Sequence, residues 1–135
     1  MKTKFLILAF LTCTAFISCK KDEAAPQSAK ATVQGKWYLQ TLVQNDHYAG
    51  ADHISTYPSN SSDYYDFRDD GKVYAYILGN YDVTTYGIID ATHLWIDVST
   101  DIYEIKNLTA TTMQLYQKTP MNAADYYEST LNLKK

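Results

Sequence analysis

Arginine is almost missing from this chain: Arg68 is the only one in 135 residues. Cysteine (two), proline (three) and glycine (five) are also scarce. Each shortage removes a class of function. Binding a polyanion needs clustered Lys and Arg to displace counterions. Here the lysines are scattered and the formal charge is -3, which argues against nucleic acid as a partner. Five glycines supply no P-loop and no dinucleotide fingerprint, and no G-x-S-x-G nucleophile motif is present. Two cysteines make no disulfide framework. No apolar run reaches the roughly 20 residues of a bilayer-spanning helix.

The longest uncharged apolar run is FLILAFLTCTAFI, Phe5 to Ile17, directly after Lys2 and Lys4. A basic start, a short apolar stretch and a small residue ahead of a cut define a secretory signal. The segment Phe16-Ile17-Ser18-Cys19 resembles the lipobox of bacterial lipoproteins. There signal peptidase II cuts before a cysteine that becomes diacylated. The resemblance implies a signal peptide over 1–18 and an acylated Cys19, carrying palmitate-type chains. Cys13 is a poor rival, because the apolar run continues past it. Acyl chains anchor by burying methylenes, and two chains hold stably. Lys20-Lys21-Asp22-Glu23 resembles the Lys-then-acid signal that sends Gram-negative lipoproteins to the outer face of the outer membrane. The implied location is an outer-membrane lipoprotein, surface-exposed, with the periplasmic leaflet as the alternative. With Cys19 acylated, no thiol remains for a disulfide or a nucleophile. Small and polar residues follow to Gln34, so 19–34 reads as a lipid-anchored flexible tether.

From Gly35 to the end, 35–135, the pattern is short alternating strands. They run over 35–43, 63–68, 72–78, 81–90, 93–98, 102–108, 113–117 and 126–133. Asp70-Gly71 marks a hairpin turn. Trp37, Leu39, Thr41 and Val43 share one face of the first strand. The expected fold is all-β: a small eight-stranded antiparallel up-and-down β-barrel, since short connections pair neighbours and closure removes edges. Gln44 to Ser62 reads as a long loop over one mouth, and loops of that length are usually functional or mobile.

Several features together resemble the lipocalin-like lipoproteins of Gram-negative bacteria. They are Gly35-Lys36-Trp37, Tyr65-x-Phe67 running into Asp70-Gly71, Gly87-Ile88-Ile89, and Tyr103-Glu104-Ile105 leading through Leu108-Thr109 to Met113-x-Leu115. The chain departs from that group at Ile89, often Trp, and at Ala75, often bulkier. It is shorter than a full lipocalin and lacks the C-terminal helix. The resemblance implies a small lipocalin-like barrel more directly than it implies a carried ligand.

Candidate sites follow from the alternation. Tyr65, Phe67, Val73, Ala75, Ile77, Leu94, Ile96, Tyr103, Ile105, Met113 and Leu115 point inward. Small Val73, Ala75 and Gly87 either leave room for a ligand or compensate for large neighbours in a filled core. The ligand-binding candidates are Trp37, Tyr65, Phe67, Ala75, Ile77, Tyr103 and Met113. Thirteen tyrosines are too many for so small a core. Tyr74, Tyr76 and Trp95, with Tyr86 and Tyr116, are therefore expected outside, as a surface for glycan or protein or as plain cross-strand pairs. Asp66, Asp69 and Asp70 surround a turn, where Asp has conformational reasons to be. Asp46-His47 and Asp52-His53 echo each other without a third ligand at metal-site spacing. The expected activity is a membrane-anchored, non-enzymatic binding protein for a small, largely apolar ligand, with no cofactor and no metal. The alternative is a cell-surface module that binds glycan or protein through its outward aromatics, on a solid barrel.

Overall fold

The computed structural model describes residues 32–135; the expected signal peptide, Cys19 and most of the expected tether lie outside the described residues. The fold is a closed eight-stranded antiparallel barrel with one additional strand. The strands are β1 (Gly35–Tyr48), β2 (Ala51–Pro58), β3 (Tyr64–Phe67), β4 (Lys72–Ile77), β5 (Asn80–Ile88), β6 (His93–Ile96), β7 (Ile102–Lys106), β8 (Thr112–Pro120) and β9 (Tyr126–Lys134). From β3 to β9 each strand pairs with the next, and β9 returns to β1 to close the wall. All eight expected strands are present, in up-and-down order.

The expected long loop is instead mostly sheet. β1 runs on to Tyr48, turns through Ala49 and Gly50, and returns as β2, pairing from Tyr48↔Ala51 to Thr41↔Pro58. Both turn residues have positive φ, 54° and 74°, which is the twist that a two-residue hairpin favours. Along the same edge of β1, Gly35 to Tyr38 pair with β3. The hairpin therefore extends beyond the barrel rim, and every residue of β2 is exposed.

The first strand also changes parity. Its register against β9 shifts between Leu39 and Thr41. Trp37 and Leu39 face the core as expected, but beyond the shift Leu42 takes the inward position in place of Thr41 and Val43. A bulge inserts one residue and so reverses the faces of everything after it.

The barrel is solid at one end. Trp37, Phe67, Val73, Leu94, Met113, Leu115 and Leu133 are buried there, with Val33 packed among them. Val33 is fully buried and its carbonyl accepts a 2.7 Å hydrogen bond from Trp37 Nε1. The carbonyl of Gln34 accepts from Lys135 Nζ at 2.9 Å. The last residues of the expected tether thus belong to the domain and cap its base. Tyr86 is a second correction. It is buried, packs edge-on against Phe67 at 5.1 Å, and donates its hydroxyl to the Arg68 carbonyl. It counts inward because Leu94 and Ile96 on the paired strand face the core.

Candidate functional site: the open mouth of the barrel

Each strand delivers its inward residues in order from base to mouth. On β3, Phe67 lies at the base and Tyr65 nearer the mouth. On β4 the series is Val73, Ala75, Ile77, and on β5 it is Tyr86, Thr84, Asp82. The mouth end is not filled. A pocket of about 300 Å³ is lined by Tyr65, Val73, Ala75 and Ile77 on one wall, with Ile96, Tyr103 and Leu131 opposite. Asn80, Asp82, Thr84 and Asp97 complete it as a polar rim. A volume near 300 Å³ lies at the lower end of the range for small-molecule sites. Ala75 creates part of this space: its inward neighbour across the pair is the slender Asp82.

Two phenols enter the pocket. Burial pushes the Tyr65 hydroxyl up to about 12, aided by Tyr103 and Asp63 nearby. Burial likewise pushes Tyr103 up to about 12, aided by Asp101 and Tyr127. Both phenols are therefore neutral at physiological pH, each with a donor and an acceptor. Among the described residues neither hydroxyl makes a hydrogen bond to another protein group. On the rim, Thr84 donates its hydroxyl to Asp97 Oδ1 at 2.7 Å. The charged rim groups, Asp82 and Asp97, are both acidic.

One buried carboxylate fixes the rim. Asp63, 1% exposed, accepts from the Asn60 N–H at 2.9 Å and from the Leu78 N–H at 3.0 Å. Its own carbonyl accepts from the Leu39 N–H. One side chain thus ties the β2–β3 connection to the β4–β5 turn beside the pocket.

Of the expected ligand residues, Tyr65, Ala75, Ile77 and Tyr103 line the pocket together. Trp37, Phe67 and Met113 do not; they are buried in the packed base. Gly87 does not make room inside. It lies on the outer face, where a Cβ would stand 2.4 Å from Trp95 Nε1. Alternation marked the inward faces but not the depth at which packing stops. Thr84, Asp82 and Asp97 were missed because polar residues at a rim look like ordinary surface positions.

The outer aromatics fall into separate groups. Tyr38, Tyr64, Tyr76 and Tyr81 are mutual partners across four strands and form one continuous row. Lys36 Nζ sits 3.6 Å from the Tyr64 ring centre, and the Arg68 guanidinium 3.8 Å from that of Tyr74. Trp95 lies apart, covering Gly87. Tyr116 donates to Glu128 at 2.7 Å. A shallower, wider depression of about 680 Å³ adjoins the row at Tyr38 and is lined by Gln40, Ser59, Ser61, Lys134 and Lys135.

The histidines do not converge. His47 bonds to Asp52 at 2.7 Å and stacks on Tyr126, whereas His53 occupies the opposite face and stacks on Tyr48. Among the described residues no group of three or more His, Cys, Asp or Glu could hold a metal ion. Asp66 pairs with Arg68, and Asp70 accepts from the Lys72 N–H inside the turn.

No family model, curated protein or solved structure matches this chain.

Proposed function

We propose that this protein is a membrane-anchored, lipocalin-like binding protein that holds a small, largely apolar molecule in the barrel mouth. The observation that carries this reading is the pocket itself. Its walls are apolar, and two neutral phenols present hydrogen-bonding groups that no other described residue takes up. An aliphatic or aromatic body would bury against Ile77, Ile96 and Leu131, at roughly 25 cal/mol per Å² of apolar surface. A polar end would meet Tyr65 or Tyr103. The acidic rim disfavours a carboxylate ligand such as a fatty acid. The reading is one of binding without catalysis.

The topology suits a tethered receptor. The chain enters at the closed base through Val33, so a flexible tether from a lipid on Cys19 would join the domain at the end opposite the mouth and leave the mouth unobstructed. Acylation is tested by palmitate labelling: Cys19→Ser should abolish it, and equal labelling would remove the anchor from the account. Binding is tested by thermal denaturation with octanol, octyltrimethylammonium and octanoate. The first two should raise the melting temperature and octanoate should not. No shift with any of the three refutes the pocket reading.

A second reading, contact with glycan or protein across the outer wall, draws support from the row Tyr38–Tyr64–Tyr76–Tyr81. It predicts that Tyr38→Ala with Tyr81→Ala abolishes retention on a glycan array while leaving octanol binding intact.

A further inference from the structure

Among the described residues, every wall strand of the barrel has a hydrogen-bonded neighbour on each side over at least part of its length, but β2 is bonded only to β1. Its other edge is open over Ala51–Pro58. The turn geometry decides which groups face outward there. In a two-residue hairpin the flanking pair, Tyr48 and Ala51, is hydrogen-bonded. Ser59 confirms the parity at the far end, donating its N–H to the Gln40 carbonyl at 3.3 Å. Odd-numbered residues thus turn their backbone groups toward β1. Asp52, Ile54 and Thr56 turn theirs toward solvent.

Edge strands are normally blunted by lysine, by a bulge or by an inward charge. β2 has no lysine, and its register against β1 is regular throughout. Pro58 stands only at its end, where it has no N–H to offer. The hairpin also displays large apolar side chains: Ile54 is 67% exposed, Tyr48 50% and Tyr57 43%.

We propose that β2 is the seam of a two-fold symmetric dimer, pairing antiparallel with β2 of a second copy about Ile54. This register places Ile54 opposite Ile54 of the second copy, and Asp52 opposite Thr56. Each N–H of Asp52, Ile54 and Thr56 then finds a carbonyl of the same set. Centring on Asp52 would oppose two carboxylates, and centring on Thr56 would bring Ile54 against Pro58, which has no N–H. Moving the axis to His53 or to Ser55 leaves one of the open-edge residues against the turn or against Pro58. Asp52 is already held by Asn45 and His47 on its own copy, so it meets a hydroxyl rather than a like charge. The contact uses the same edge on both copies, so it is isologous and the assembly closes at two.

The register makes a covalent test possible. A hydrogen-bonded antiparallel pair holds its Cα atoms about 5.5 Å apart, within the range a disulfide spans. In the full chain carrying Cys13→Ser and Cys19→Ser, Ile54→Cys should oxidise to a covalent dimer on a non-reducing gel. Asp52→Cys should not, because its two copies would lie roughly 13 Å apart at 3.4 Å per residue. Adding Thr56→Pro to Ile54→Cys removes an edge donor while leaving the bonds to β1 in place, and should abolish cross-linking. The proposal is overturned if Ile54→Cys stays monomeric with an unchanged far-ultraviolet spectrum. It is equally overturned if Ile54→Cys and Asp52→Cys cross-link alike.

Discussion

Replacing Asp63 with alanine should loosen the mouth of the barrel, and the size of the effect can be worked from its contacts. The carboxylate accepts two backbone N–H groups, from Asn60 and Leu78, at 2.9 and 3.0 Å. Hydrogen bonds to a charged group contribute about 1.5–3 kcal/mol each. Asn60 and Leu78 are themselves exposed, so water can recover part of what is lost. The expected cost is therefore near the low end, about 2–3 kcal/mol for the pair. For a domain of about 100 residues, each kcal/mol moves the melting temperature by about 4–8 °C, giving a fall of roughly 8–24 °C. Asp63→Asn keeps one acceptor oxygen and should lose about half as much. Circular dichroism melts of the wild type and both variants measure this directly. A fall under about 2 °C for Asp63→Ala would refute the reasoning, because the carboxylate would then not be the bracket between these two connections.

Gly87→Ala places a Cβ within 2.4–2.7 Å of three atoms of the Trp95 indole, so the ring must move off the sheet. The expected cost is about 1–3 kcal/mol, with a shift in tryptophan emission. Trp37, buried in the base, supplies the unchanged component, and unaltered emission with an unaltered melt would refute the packing. Alkaline titration followed by phenolate absorbance should show Tyr65, Tyr103 and Tyr116 ionising late, near 12 rather than about 10. Because the folded state keeps these protons where the unfolded chain releases them, their stabilisation is complete below pH about 10. It is lost as pH rises toward 12. A single phenolate transition near 10 for all tyrosines would contradict the burial of Tyr65 and Tyr103.

The strands of the wall were legible because one face of each is buried and the other is wet, which writes period-two alternation into the sequence. LeuTrpIle in β6 and Val73-Tyr74-Ala75-Tyr76-Ile77 in β4 are plain cases. β2 was not legible for the same reason: with every residue exposed it has no buried face, and nothing forces its side chains to alternate. Its turn was hidden because Ala49 stands where Asn, Asp or Gly usually signals positive φ. The reversal after Leu39 was invisible, since a bulge leaves no compositional mark of its own. Tyr86 looked like one more outward tyrosine, yet its hydroxyl reaches a backbone carbonyl and lets the ring be buried. Six pocket residues, Tyr65, Val73, Ala75, Ile77, Ile96 and Tyr103, followed from alternation alone. Which inward residues line space and which fill it depends on how side chains meet across the barrel, and that is a property of closure.

The central claim is that the mouth pocket takes up a small apolar molecule, and Ala75→Phe tests it most directly. The added ring would occupy the space between Tyr65 and Asp82, the strand neighbours of Ala75. Isothermal titration of octanol into the wild type should show saturable binding. Ala75→Phe should abolish it while the barrel stays folded by circular dichroism. Undiminished octanol binding by a folded Ala75→Phe variant would contradict the account.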